Sequence, residues 1–178
     1  MTTTPLTRHD RRMLRRMNDR RSRPLHATAA RRRLAVAAHL VLTAAIGGLM
    51  TYFFFAEGEP LWAFVVVVAL LLPWMVATGV INAATRGLLE LRERALDERQ
   101  SAERARVQAR AHRAMTVLLV ATTIAAGLST AGAADGRLPT ASAGAVLVAV
   151  LVVHWLMPLW VAGLMAQDEP AEDDGPAA

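Results

Sequence analysis

The chain contains no cysteine, so it forms no disulfide and offers no thiolate as nucleophile or metal ligand. It contains no lysine either; all twenty basic residues are arginine. The most consequential absence is local. Four runs, 34–55, 61–81, 115–134 and 141–165, hold no Asp, Glu, Lys or Arg. Each is about as long as the roughly 20 residues a helix needs to cross a bilayer. A helix of that length in water carries a polar face, and these runs have none. Paired carboxylates are missing from the runs, and the chain has no glycine-rich phosphate loop, nucleophile elbow or metalloprotease histidine pair. Those gaps leave no foundation for an enzyme, and no cofactor or metal site is expected.

What is present fits a small membrane domain. Of the 178 residues, 54% are hydrophobic and the mean hydropathy is +0.31. The expected fold is all-α and integral to the membrane: a four-transmembrane-helix bundle with a cytoplasmic helical hairpin between spans two and three. Residues 1–33 form a basic cytoplasmic segment, 34–165 the four-span domain with its helical loop 82–113, and 166–178 an acidic tail that reads as disordered. The first run lies behind 33 residues and is longer than a signal-peptide core, so it reads as an uncleaved span.

Orientation follows from the arginines. Eleven precede the first span and eight lie between spans two and three, whereas the loop after span one has none and the loop after span three has only Arg137. The positive-inside rule places both termini and the long loop in the cytoplasm, in a cell (plasma) membrane. Tyr52 and Phe53 to Phe55 then mark the outer interface, with Trp62 opening span two.

The amino-terminal segment supports several readings. Leu6, Met13, Leu14 and Met17 share one face of a helix over 4–21, with arginine around the rest. Such a helix can lie on the anionic inner leaflet, gaining about 1 kcal/mol per basic residue. A solvated basic tail that only fixes topology serves equally, and a nucleic-acid arm is disfavoured because no aromatics are interleaved to stack on bases.

The loop 82–113 carries the clearest local pattern. Asp97 is a good helix N-cap and Gln100 holds the reciprocal capping-box position. A turn there divides the loop into arms 82–96 and 98–113 of about 22–24 Å at 1.5 Å per residue. Leu88, Leu91 and Ala95 on one arm, and Ala102, Ala105 and Ala109 on the other, are placed to form the hairpin seam, with a Glu90–Arg94 pair beside it. The rival layout is a helix lying flat on the membrane. Asp97, Glu98, Arg99 and Gln100 are the candidate turn and contact point for a protein partner. The run Leu96-Asp97-Glu98-Arg99-Gln100, followed by an Arg/Ala-rich helix entering an apolar span, resembles a pattern in small multi-span membrane proteins of bacteria, notably actinobacteria, a group without an assigned activity. That resemblance implies the multi-span fold and supplies no catalytic residue.

Within the spans, Pro73 and Pro158 are expected to bend their helices, and Ala44 with Gly48 forms a small-xxx-small pair suited to close packing. Span three, rich in Ala, Thr, Ser and Gly, is expected at the centre of the bundle. His39 and His154 are the candidate intramembrane polar residues. They lie about 7 Å and about 16 Å from the cytoplasmic ends of their helices, poorly matched for a shared metal or proton relay. Packing roles are expected for both, with a proton or substrate role as the alternative. The expectation for function is a non-catalytic regulatory or accessory membrane protein presenting the charged loop; a small oligomeric transporter or channel is the rival.

Overall fold

The computed structural model describes residues 7, 8, 12, 23–56, 58, 60–91, 96–132 and 140–166. The helix expected over 4–21 and the acidic tail from 167 lie outside the described residues, apart from isolated positions in the former. The described residues are helical with no strand: α1 (Arg23–His26), α2 (Ala29–Phe55), α3 (Leu61–Ala84), α4 (Glu98–Gly132) and α5 (Thr140–Met165). Four of these, α2 to α5, are long and apolar enough to cross a membrane.

Local chemistry sets the helix ends. The Thr28 hydroxyl accepts from the Arg31 amide at 3.4 Å, so α2 starts five residues before the apolar run and takes Arg31 to Arg33 into its first turns. At the far end the Ala56 amide returns to the Tyr52 carbonyl at 2.8 Å. Gly58, at φ 87°, turns the chain towards Pro60, which heads α3. Here, at the aromatic end of the bundle, Tyr52 meets Trp62 and Phe53 meets Phe64, with ring centroids 5.7 and 5.9 Å apart. The arginine-rich opposite end is the basic end. Helices α3 and α5 continue through Pro73 and Pro158 without interruption.

Helices α2, α3 and α5 pack against one another, and α4 runs along α5. The three-helix core centres on Val36, Ile81 and Trp160. Its tightest point is Gly163 of α5, where a Cβ would stand 2.8 Å from Val36 Cγ2 and 2.9 Å from Ile81 Cγ2. Gly48, half of the expected small-xxx-small pair, has nothing within 4 Å of its Cβ position. The close crossing is made elsewhere.

Span three is not central. The buried residues of α4 are Val107, Ala111 and Met115, all at the basic end, and beyond them Val117, Ile124 and Leu128 stand 57–70% exposed. The hydroxyls of this span bond within their own helix. Thr116, Thr123 and Ser129 each donate to the carbonyl four residues back, and Thr130 to the one three back. Small side chains permit close approach but supply little area to hold a helix in a core.

The loop 82–113 also departs from the expected hairpin. Residues 85–91 do not continue a helical arm, because α3 stops at Ala84 in a Schellman motif; 92–95 lie outside the described residues. The Gly87 amide bonds the Asn82 carbonyl at 2.8 Å, the Arg86 amide bonds that of Ala83 at 3.0 Å, and both residues sit at positive φ, 69° and 53°. A further turn follows, with the Glu90 and Leu91 amides bonding the Gly87 carbonyl. Helix α3 thus ends thirteen residues before Asp97, the expected turn. Leu88 and Leu91 are buried as expected, but Leu88 packs on Val107 and Ala162. Ala102, Ala105 and Ala109 face outwards. The Arg104 guanidinium closes the contact by donating to the Leu91 carbonyl at 2.9 Å. The expected partner Arg94 lies outside the described residues; Glu90 accepts from the Asn82 side-chain amide.

Candidate functional site: a histidine held between two indoles

His39 is fully buried on α2, one turn before Thr43. Trp74 and Thr78, also one turn apart, approach it from α3, and Trp160 from α5. An indole nitrogen can only donate. The Trp160 Nε1–H, 3.0 Å from His39 Nδ1, therefore makes that nitrogen an acceptor. The ring proton sits on Nε2, which donates to Thr78 Oγ1 at 3.0 Å. The Thr78 hydroxyl in turn donates to the Trp74 carbonyl at 2.9 Å. The Trp74 Nε1–H donates to Thr43 Oγ1 at 2.9 Å, and the Thr43 hydroxyl donates to the His39 carbonyl at 2.8 Å. The imidazole also lies against both rings, with centroids 4.8 Å from Trp74 and 6.1 Å from Trp160.

The chain of bonds is closed. Among the described residues no buried side-chain nitrogen or oxygen lacks a partner. Both ring nitrogens of His39 are spent, so neither has a lone pair for a metal ion or a free valence for a substrate. A second proton on Nδ1 would set two N–H donors face to face. The cluster works as a polar tie joining α2, α3 and α5, with a fixed tautomer and no open coordination position.

His154 lies elsewhere. It is exposed on the outer surface of α5, so the structure does not bring the two candidate histidines together. Among the described residues no group of three His, Asp or Glu side chains is close enough to hold a metal. At the head of α4 the capping box forms as expected: the Gln100 amide donates to Asp97 Oδ1 at 2.6 Å, and the Asp97 amide to Gln100 Oε1 at 3.1 Å. Asp97 and Gln100 thus spend their side chains on the helix end, while Glu98 and Arg99 remain exposed.

Sequence reasoning missed Trp74 and Trp160 as partners of His39, and missed buried Arg32. Arg32 donates to the Ala166 carbonyl at 2.8 Å and to the His26 carbonyl at 3.2 Å. Its charge stands where the α5 dipole is negative, so one arginine of the topology signal also caps a helix from another span. The available signal for the histidine cluster was the pair of i,i+4 couples, His39/Thr43 and Trp74/Thr78, each placing two polar groups on one face of an otherwise apolar helix. Compared with known proteins, the chain matches no protein-family model, no curated protein and no solved structure.

Proposed function

We propose that the chain is a multi-pass protein of the cell membrane, with its basic end and both termini in the cytoplasm. Its proposed role is that of a non-catalytic regulatory or accessory protein that offers the base of α4 to an acidic protein surface. The membrane part of the reading draws on exposed apolar bulk. Phe54, Leu72, Leu147 and Trp155 are 65–84% exposed, far from what water tolerates over a continuous surface.

The observation that carries the role is the continuity of α4. The helix begins at the Asp97 cap and runs unbroken through 35 residues into the apolar half. Its buried side chains Val107 and Ala111 hold one face of the base. Arg99, Arg106, Arg110 and Arg113, spaced by seven, four and three residues, form an exposed stripe on another face. The stripe spans about 21 Å along the helix at 1.5 Å per residue. That exceeds two Debye lengths of about 8 Å, so a leaflet at Arg113 does not reach Arg99 along the axis, and a protein surface fits the whole stripe better than lipid does. The anionic inner leaflet remains a partner for the more amino-terminal arginines.

A photo-crosslinking residue at Arg106, used in intact membranes, tests this. A discrete protein adduct that disappears when Arg99, Arg110 and Arg113 are changed to Glu supports the reading; adducts with lipid alone overturn it. A small oligomeric transporter is the second reading, favoured by the exposed histidine on α5. Proton-driven flux in liposomes that vanishes in His154→Ala would decide for it.

A further inference from the structure

His154 and Trp155 are adjacent, both exposed, and Trp155 at 84% is the most exposed large hydrophobic side chain among the described residues. Neither makes a side-chain hydrogen bond among the described residues. They sit ten and eleven residues before Met165, about 15–16 Å from the basic end of α5 and close to the middle of a hydrocarbon layer of about 30 Å. Tryptophan normally lies at the interface, where its N–H stays wet. In hydrocarbon, an imidazole and an indole with no partner are both costly. Elsewhere the chain shows how it satisfies this pair of groups: the Trp160 indole donates to a ring nitrogen of His39.

We infer that a second copy of this chain covers the outer face of α5, forming a parallel two-fold dimer in which Trp155 of each protomer donates to His154 of the other. The spacing supports one seam. Gly144 and Leu151 are seven residues apart on a line that passes between His154 and Trp155, and Leu147 and Val148 flank the same line one repeat earlier. All six are exposed, and nothing lies within 4 Å of the Gly144 Cβ position. With the seam running between residues 154 and 155, a two-fold axis along the membrane normal sets His154 on one flank opposite Trp155 of the partner on that flank, and the reverse on the other. Donor meets acceptor twice without any further residue. A repeat of seven also predicts a left-handed crossing. The inference shares its membrane premise with the proposed function and is otherwise independent of the α4 stripe.

The lack of cysteine makes the test clean. Leu151→Cys and Gly144→Cys, introduced singly and oxidised in native membranes, should each give a disulfide-linked dimer, whereas Leu128→Cys on exposed α4 should not. In phosphatidylcholine vesicles, dilution-dependent energy transfer should show His154→Ala and Trp155→Phe each weakening the dimer about tenfold, since each change removes both reciprocal bonds. The exchange His154→Trp with Trp155→His should restore affinity, because the symmetry permits it. Monomers in the bilayer, equal cross-linking at Leu128→Cys, or single variants within twofold of the parent would overturn the dimer as described. Extraction of the chain into detergent-free buffer would instead overturn the membrane premise of both readings.

Discussion

Gly163→Ala gives the sharpest test of the helix crossing. The new methyl would stand 2.8 Å from Val36 Cγ2 and 2.9 Å from Ile81 Cγ2, inside van der Waals contact with both. Neither neighbour yields easily. Each is β-branched and on a helix, where one χ1 rotamer dominates, and they are 2% and 1% exposed. Over-packing of this kind costs about 1–3 kcal/mol. Against it stands the helix-propensity gain of replacing glycine by alanine, about 0.5–1 kcal/mol. The net expectation is a loss of about 1–2 kcal/mol, or a factor of roughly 5–30 in the folded-to-unfolded ratio. Equilibrium unfolding in mixed micelles of increasing sodium dodecyl sulfate measures it. Gly48→Ala, with nothing within 4 Å, should show the gain alone. Val36→Ala should rescue Gly163→Ala in a double-mutant cycle with a coupling of about 1 kcal/mol or more. A stabilised Gly163→Ala protein, or zero coupling to Val36, would refute the three-helix crossing.

Three further outcomes follow from the geometry. Trp160→Phe keeps a ring in the core but removes the short donor to His39 Nδ1, leaving only the Thr43 hydroxyl at 3.4 Å, whose proton serves the His39 carbonyl, and should cost about 1–3 kcal/mol in the same unfolding assay, while Trp155→Phe should leave protomer stability unchanged. Arg32→Ala should cost about 1.5–3 kcal/mol by freeing the Ala166 carbonyl from a charged donor, with faster proteolysis at the basic end; exposed Arg33→Ala should do neither. Asp97→Ala should cost about 1 kcal/mol and speed amide hydrogen exchange at Gln100, and Asp97→Asn should recover most of the loss.

The parts of the fold legible in sequence are those set by solvent or by neighbours within one turn. Uncharged runs become helices α2 to α5 because a helix of that composition has no polar face to offer water. The Asp97 box closes over three residues, and the Tyr52–Trp62 contact joins two adjacent helix ends. The end of α3 was hidden for a specific reason. The left-handed position of its Schellman motif is occupied by Arg86, where glycine or asparagine is the usual signature. Gly87 alone gave no register, and Leu88 and Leu91 suit a helix face as well as a folded-back turn. The position of α4 was hidden because Ala, Ser and Thr are compatible with both a centre and an edge; the decision rested on Gly163, Val36 and Ile81, which lie on three other segments. The histidine cluster had the same character. Trp74, Thr78 and Trp160 become partners of His39 only after three helices meet.

Helix α5 is the element through which these features connect. One of its faces enters the core through Trp160 and Gly163, and Ala162 joins Leu88 and Val107 at the foot of α4. Its C-terminal end is held by Arg32 from α2. Helix α4 lacks comparable ties: its buried residues are confined to the basic end, and it packs chiefly on α5. A partner pulling on the arginine stripe would therefore load α5 first, through the cluster of Leu88, Val107 and Ala162, rather than α2 or α3. Val107→Ala should separate the two halves of that path. It thins the contact and should loosen the α4 base, seen as faster hydrogen exchange over 98–111, while leaving the His39 cluster and its exchange protection intact. If protection of α2 and α3 fell with it, α4 would belong to the same cooperative unit as the core, and the division into a tied three-helix core and an appended fourth helix would be wrong.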